Sequence, residues 1–273
     1  MRALNQPESW WGWHGYNHPE AMSITDIIRA GTLSPRMAAL LWLGMERGTS
    51  MILAADPPGA GKTTLLTALL AFTRPDTAVY FTRGWGETFP LPPRAGDDPP
   101  LYVLINEISD HLPVYSWGPY VGRAFELLRD GYSLASTMHA DTVDGVIAQL
   151  VEECDVPPRD IGLLGFVVPI FVGTSRDRRV RRVNEIAVLE PLGPGHDRHT
   201  VARWDEARDT FEVLSTPAQI NAAARRLGLE EDTLVAGIAR REQFIEQLVR
   251  DGIASIEDVQ RRVFEFSGYE VVE

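Results

Sequence analysis

At 273 residues, with 44% hydrophobic and 9% aromatic side chains, the chain has enough apolar surface for a sizeable core and lacks the composition of a disordered protein. A net charge of -12 argues against DNA or RNA as a partner, because protein surfaces that bind nucleic acid carry basic side chains that displace counterions from phosphates. The single cysteine, Cys154, excludes an internal disulfide, and no run reaches the roughly 18 apolar residues that cross a bilayer. The expected compartment is the cytoplasm, with any membrane contact peripheral.

In chain order, residues 1–33 form a lead-in that contains a Trp/Gly/His-rich segment and a short amphipathic stretch at 24–30, closed by Gly31. Ser34-Pro35 reads as an N-cap followed by a first-turn proline and opens a helix over 35–47. Five strand-like runs follow, at 51–55, 78–82, 102–108, 133–138 and 166–172, with helices expected at 62–72, 117–129 and 143–153. Apolar strands alternating with helices predict a mainly parallel sheet covered on both faces. Residues 182–214 read as shorter antiparallel strands separated by turns, among them Gly193-Pro194-Gly195 and the bend at 205–209. Beyond 216 the pattern turns helical, at 217–227, 230–251 and 256–266. The expected architecture is therefore α/β: a core over 34–215 and a small helical domain over 216–273.

The strand at 51–55 runs into Asp56-Pro57-Pro58-Gly59-Ala60-Gly61-Lys62-Thr63-Thr64 and then an apolar helix, which is the context of a phosphate-binding P-loop. Pro58, Gly59, Ala60 and Gly61 form the nucleotide-binding loop, backbone N-H groups from Gly59 to Lys62 can point inward at the phosphates, and the helix N-terminus adds its positive dipole. Lys62 reaches the outer phosphates, Thr63 offers a hydroxyl to Mg²⁺, and Thr64 is the last of the expected nucleotide-binding residues. Lys62 is the one lysine in the chain, every other basic residue being arginine. Asp56 stands where the usual pattern has glycine, and aspartate is among the few residues that tolerate left-handed backbone.

Two further elements carry a family resemblance. Ser136-Thr137-Met138-His139-Ala140-Asp141 resembles the His box of secretion and pilus ATPases, and the strand ending in Asn106-Glu107 resembles their Walker B strand. Ser23-Ile24-Thr25-Asp26, Arg181-Arg182-Val183-Asn184-Glu185-Ile186 and the terminal helices resemble flanking segments of the same family. The chain is thus similar to the motor ATPases of archaeal type IV pilus, archaellum and type II/IV secretion machines. Its arginine-rich, acidic composition also resembles that of proteins from salt-loving archaea. The resemblance implies a RecA-like P-loop NTPase core, ATP and Mg²⁺ as cofactors, Glu107 and His139 as catalytic residues, and Thr63 with Glu107 as metal ligands. It further implies a hexamer, or a mixed oligomer with a full-length paralogue, acting on a polytopic platform protein at the inner face of the cell membrane.

The pattern departs from the family in several places. Residues 81–87 keep one carboxylate, Glu87, where the family's acidic Asp box is expected; Ser109 and Gln149 stand where arginine is common. The long N-terminal domain that supplies arginines to a neighbour's nucleotide is expected to be lacking. A general base is worth about 10²- to 10⁴-fold and an arginine finger about 10³- to 10⁵-fold. Two readings follow: a motor-type ATPase, or a nucleotide-binding accessory subunit with little hydrolysis. Arg83 or the arginines at 176–182 could replace the missing cations. An unrelated P-loop kinase or GTPase is disfavoured by the His box and by the lack of an Asn-Lys-x-Asp motif.

Overall fold

A computed structural model describes residues 1–5 and 21–269; the tryptophan-rich part of the lead-in and the final four residues lie outside these. A short strand β1 (Arg2–Ala3), not foreseen from the sequence, precedes helix α1 (Ile24–Arg29), which a Ser23/Asp26 capping box opens. Helix α2 (Pro35–Glu46) begins where Ser34 accepts a hydrogen bond from the Met37 N-H. There follow β2 (Met51–Ala54), α3 (Lys62–Leu70), β3 (Ala78–Phe81), β4 (Leu101–Ile108), α4 (Pro119–Arg129), β5 (Ser133–Met138) and α5 (Val143–Glu152). The remaining strands are β6 (Phe166–Ser175), β7 (Arg178–Val183), β8 (Glu185–Leu192), β9 (Gly195–Asp205) and β10 (Thr210–Val213). Helices α6 (Pro217–Leu227), α7 (Glu231–Arg250) and α8 (Ile256–Ser267) follow.

Among the described residues the strands join one 10-stranded sheet in the order β1-β3-β4-β5-β2-β6-β8-β9-β10, with β7 paired to β6. The segment β1-β3-β4-β5-β2-β6 is parallel, and pairings beyond β6 are antiparallel. The phosphate loop thus leaves an interior strand, flanked by β5 and β6. Strand β6 extends past the sequence expectation, and the antiparallel region starts earlier, at β7, because the two form a hairpin. The apolar run stops at Gly173, which hid this extension. A side chain there would meet the Phe171 ring at 2.6 Å, so any other residue would require that ring to shift.

The interior parallel strands β2, β4 and β5 are buried on both faces, and their residues alternate between two cores. Met51 and Leu53 enter the cluster built with α2, α3 and the C-terminal helices, whereas Ile52 and Ala54 enter the one built with α4 and α5. In the first cluster Trp42 stacks on Phe72, ring centroids 4.9 Å apart, and packs against Phe266 of α8. Arg241 of α7 lies over the same indole and pairs with Glu46 at 2.5 Å. Helices α7 and α8 are thereby held against α2. This packing fixes the back of the sheet while leaving the carboxyl ends of β2, β3, β4 and β5 to their loops.

Candidate nucleotide site

The loop between β2 and α3 turns on two glycines, Gly59 with φ +71° and Gly61 with φ +89°, the latter the N-cap of α3. Asp56 does not have a positive φ, so the left-handed backbone considered for that position is not used. The Asp56 carboxylate is on the exposed surface, and its N-H donates to Asp141 Oδ1 at 3.0 Å. Ala60 is buried; Pro58 and Gly59 are exposed, and Thr63 and Thr64 are half-buried in the first turn of α3. That turn leaves N-H groups without intrahelical acceptors, pointing where an anion is stabilised.

Lys62 is buried, and its ammonium donates to the Ala55 carbonyl at 2.8 Å. Burial pushes its pKa below the ordinary lysine value, while the carboxylates of Glu107, Asp56 and Asp141 oppose that shift. The lysine is therefore a partly desolvated cation held among anions, with one backbone contact that a phosphate oxygen could replace.

Glu107 and His139 come together from adjacent strands. The β4/β5 register runs Ile105↔Ser136 and then Ile108↔Met138, so β4 carries an extra residue at 106–107. Such a bulge interrupts side-chain alternation and re-aims a residue at the sheet rim. Glu107 Oε1 lies 3.0 Å from His139 Nε2. The other ring nitrogen, Nδ1, is 2.8 Å from the Asp56 carbonyl, which can only accept, so Nδ1 carries a proton. Gln149 Nε2 donates to the His139 carbonyl at 2.7 Å, fixing the backbone from α5. Gln149 thus supports the histidine. Ser109 Oγ accepts from the His111 N-H at 3.2 Å, on the loop where His111 lies beside His139.

Glu87 has a different environment. It is buried, and its carboxylate accepts from Tyr80 Oη and from the N-H groups of Arg83, Thr88 and Phe89 at 2.6–2.9 Å. Burial first, and then the hydrogen bond to Glu87, push the Tyr80 phenol well above its ordinary pKa. Arg83 is exposed.

The arginines of β7 also divide. Arg182 forms a two-pronged pair with Asp209, at 2.8 and 2.9 Å, and Trp204 Nε1 donates to the same carboxylate at 2.9 Å. Arg181 instead donates to the Gly59 carbonyl at 2.9 Å, with its side chain 3.3 Å from where a Gly61 Cβ would stand. This places an arginine of the same chain on the phosphate loop. Sequence reading had identified only an arginine run at 176–182. Which arginine reaches the loop follows from the β6/β7 register and not from any local motif. No sequence motif includes His111, and Asp141 enters only as the last residue of the His box.

The strand order, the loop and helix after interior strand β2, and Glu107 and His139 at neighbouring strand ends define a RecA-like P-loop NTPase fold with an antiparallel extension and C-terminal helices. No family model matches the chain. The uncharacterized protein MJ1287 of Methanocaldococcus jannaschii is 24% identical over 274 residues, covering 90% of this chain and 98% of its own length. The uncharacterized protein MJ0900 of the same organism is 26% identical over 216 residues, 69% of this chain and 38% of its own. Among solved structures, the ATPase DotB of Legionella pneumophila aligns at 12% identity and a TM-score of 0.34, covering 84% of this chain and 60% of that one.

Proposed function

We propose that this chain binds and hydrolyses ATP as a motor-type ATPase of a secretion or type IV pilus-like system. The observation that carries the reading is the meeting of Glu107 and His139, 3.0 Å apart, with the histidine's other nitrogen bonded to the phosphate loop at Asp56. A phosphate entering the loop would take Lys62 from the Ala55 carbonyl and offer His139 an acceptor in place of Glu107. Glu107, released from the imidazole, is then free to orient and deprotonate the attacking water. A ring protonated at both nitrogens donates to the carbonyl and to the terminal phosphate together, which makes His139 a reporter of ATP over ADP.

The oxygen donors of Thr63 and Glu107 fit Mg²⁺, a hard cation that prefers carboxylate, hydroxyl and water ligands. When bound, the ion would neutralise charge on the transferring phosphoryl group. Arg181 supplies a second cation to the loop from the same chain, so part of the arginine function expected from a neighbour has an internal source. On this reading the protein works in the cytoplasm at the inner membrane face, on a polytopic platform protein, as a hexamer or with a full-length paralogue. No helix among the described residues is long and apolar enough to cross a membrane.

A second reading, an accessory subunit that binds ATP and turns it over slowly, draws support from Glu87. Its two oxygens accept four hydrogen bonds within the protein, which commits the carboxylate at the Asp-box position to the fold. Calorimetry with Mg·ATP tests what the two readings share: Lys62→Ala should abolish binding while the protein stays folded. Unchanged affinity would remove the P-loop assignment. Steady-state turnover, measured against protein concentration and with paralogue and platform protein added, separates the readings.

A further inference from the structure

We propose that Glu107, His111 and His139 form a binding site for a borderline-soft divalent cation such as Zn²⁺, and that the bound ion holds the nucleotide-free site shut. One carboxylate oxygen and one nitrogen from each imidazole lie within 4.8 Å of one another. The metal site rests on this clustering, with His111 on its exposed loop closing the remaining distance to one ion; its antagonism toward ATP rests on the function proposed above.

The chemistry of the pair at its centre leads to the ion. Because Nδ1 of His139 must donate to the Asp56 carbonyl, a neutral ring presents a bare lone pair at Nε2, facing Glu107 Oε1 across 3.0 Å. Two lone pairs at that separation repel unless something positive bridges them. A proton on the ring is one solution, and a metal ion is the other. Both atoms can lie within the bond lengths of one Zn²⁺, about 2.0–2.2 Å to imidazole nitrogen or carboxylate oxygen. The Nδ1 contact is also the kind of support that ligating histidines have, with the far N-H donating to a backbone carbonyl to fix tautomer and ring plane. Gln149 holds the backbone behind it.

His111 supplies a third ligand and the means of adjustment. Its ring is 5.5 Å from that of His139, on an exposed loop closed by backbone bonds from Ser109 N to Ser116 O and from Ser116 N to Glu107 O. Its competing charge partner is Asp110, 3.7 Å away and exposed. Two imidazoles and one carboxylate with an open side suit zinc, cobalt or nickel, whereas Mg²⁺ favours all-oxygen ligands. An ion here occupies both groups that the terminal phosphate would separate. Zinc and ATP should therefore oppose each other.

Co²⁺ serves as a visible probe of the nucleotide-free protein. The expected result is stoichiometric binding with ligand-field bands of a low-symmetry, four-coordinate ion, erased by Zn²⁺ and unaffected by excess Mg²⁺. His111→Ala should weaken Co²⁺ at least about 10-fold, the effect of disturbing a metal's surroundings, while ATP affinity without metal is unchanged. His199→Ala, on β9, should leave the bands intact. Bands that are absent from the unaltered protein, or that disappear with His199→Ala and survive His111→Ala, would overturn the site. With free Zn²⁺ buffered, the apparent Kd for ATP should rise about 5- to 150-fold in the unaltered protein and not in His111→Ala. Equal ATP affinity with and without zinc would overturn the antagonism. Cobalt binding without any ATP binding would support the metal site and defeat the nucleotide reading.

Discussion

Glu107 lies at the carboxyl end of β4, after an apolar run, and Glu87 lies in the loop that follows the neighbouring parallel strand β3. Glu87 is wrapped by Tyr80 and three backbone N-H groups. Glu107 faces an imidazole that is itself anchored on the phosphate loop. A carboxylate with its lone pairs filled by fixed donors stabilises a turn and has little left for a substrate. One with a single exchangeable partner can change partners. The same division separates Arg182, committed to Asp209, from Arg181, which touches the loop.

Glu107→Gln sharpens this contrast most. The variant should keep ATP binding and lose about 10²- to 10⁴-fold in turnover, since a positioned general base contributes that much. Single-turnover hydrolysis with saturating Mg·ATP measures it. An undiminished rate would move the base elsewhere.

Glu87→Gln should have the opposite profile. The amide turns an N-H₂ toward groups that already donate, so denaturant titration should show a stability loss of about 1–3 kcal/mol, the cost of spoiling buried, charge-assisted hydrogen bonds. Turnover per folded molecule should be unchanged. A catalytic defect without a stability defect would reverse the roles assigned to the two glutamates.

Arg181→Ala comes next. A charge-assisted hydrogen bond is worth about 1.5–3 kcal/mol when shielded. The Arg181 side chain is exposed, so solvent screening reduces this to an expected tenfold or so in ATP affinity by calorimetry. ADP should be affected less if the guanidinium reaches toward the outer phosphates. Equal, negligible changes for both nucleotides would make Arg181 a surface contact only.

The smallest effect is expected at Asp209. The hydrogen bond from Arg182, then that from Trp204, hold its carboxyl down at about 2, from an ordinary 3.8. Because the folded value lies below the unfolded one, this stabilisation is complete above pH about 3.8 and is lost as pH falls toward 2. Asp209→Asn should lower stability at neutral pH, and the gap between the two proteins should close across that acid window. A gap independent of pH would show that the carboxylate charge contributes nothing.

Much of the local structure was legible from the chain itself. The apolar runs of β2 and β5, the Ser34-Pro35 helix start, and the Gly-Ala-Gly-Lys-Thr loop all depend on neighbouring residues, whose steric and hydrogen-bonding demands act over a few positions. Those same rules located Lys62 at a helix N-terminus and Glu107 and His139 at strand ends. They could not show that the two would lie 3.0 Å apart, because that distance depends on the β4/β5 register and on a bulge that one strand alone does not encode. Nor could they show that Arg181 rather than Arg182 reaches the phosphate loop. In a strand, adjacent side chains point to opposite faces, so pairing with β6 and the pull of Asp209 on Arg182 settle which arginine faces which way. The sequence by itself determined the elements and their chemical content. Tertiary structure decided which charges are consumed in holding the fold and which remain free to exchange partners, because that choice depends on donors brought in from distant parts of the chain.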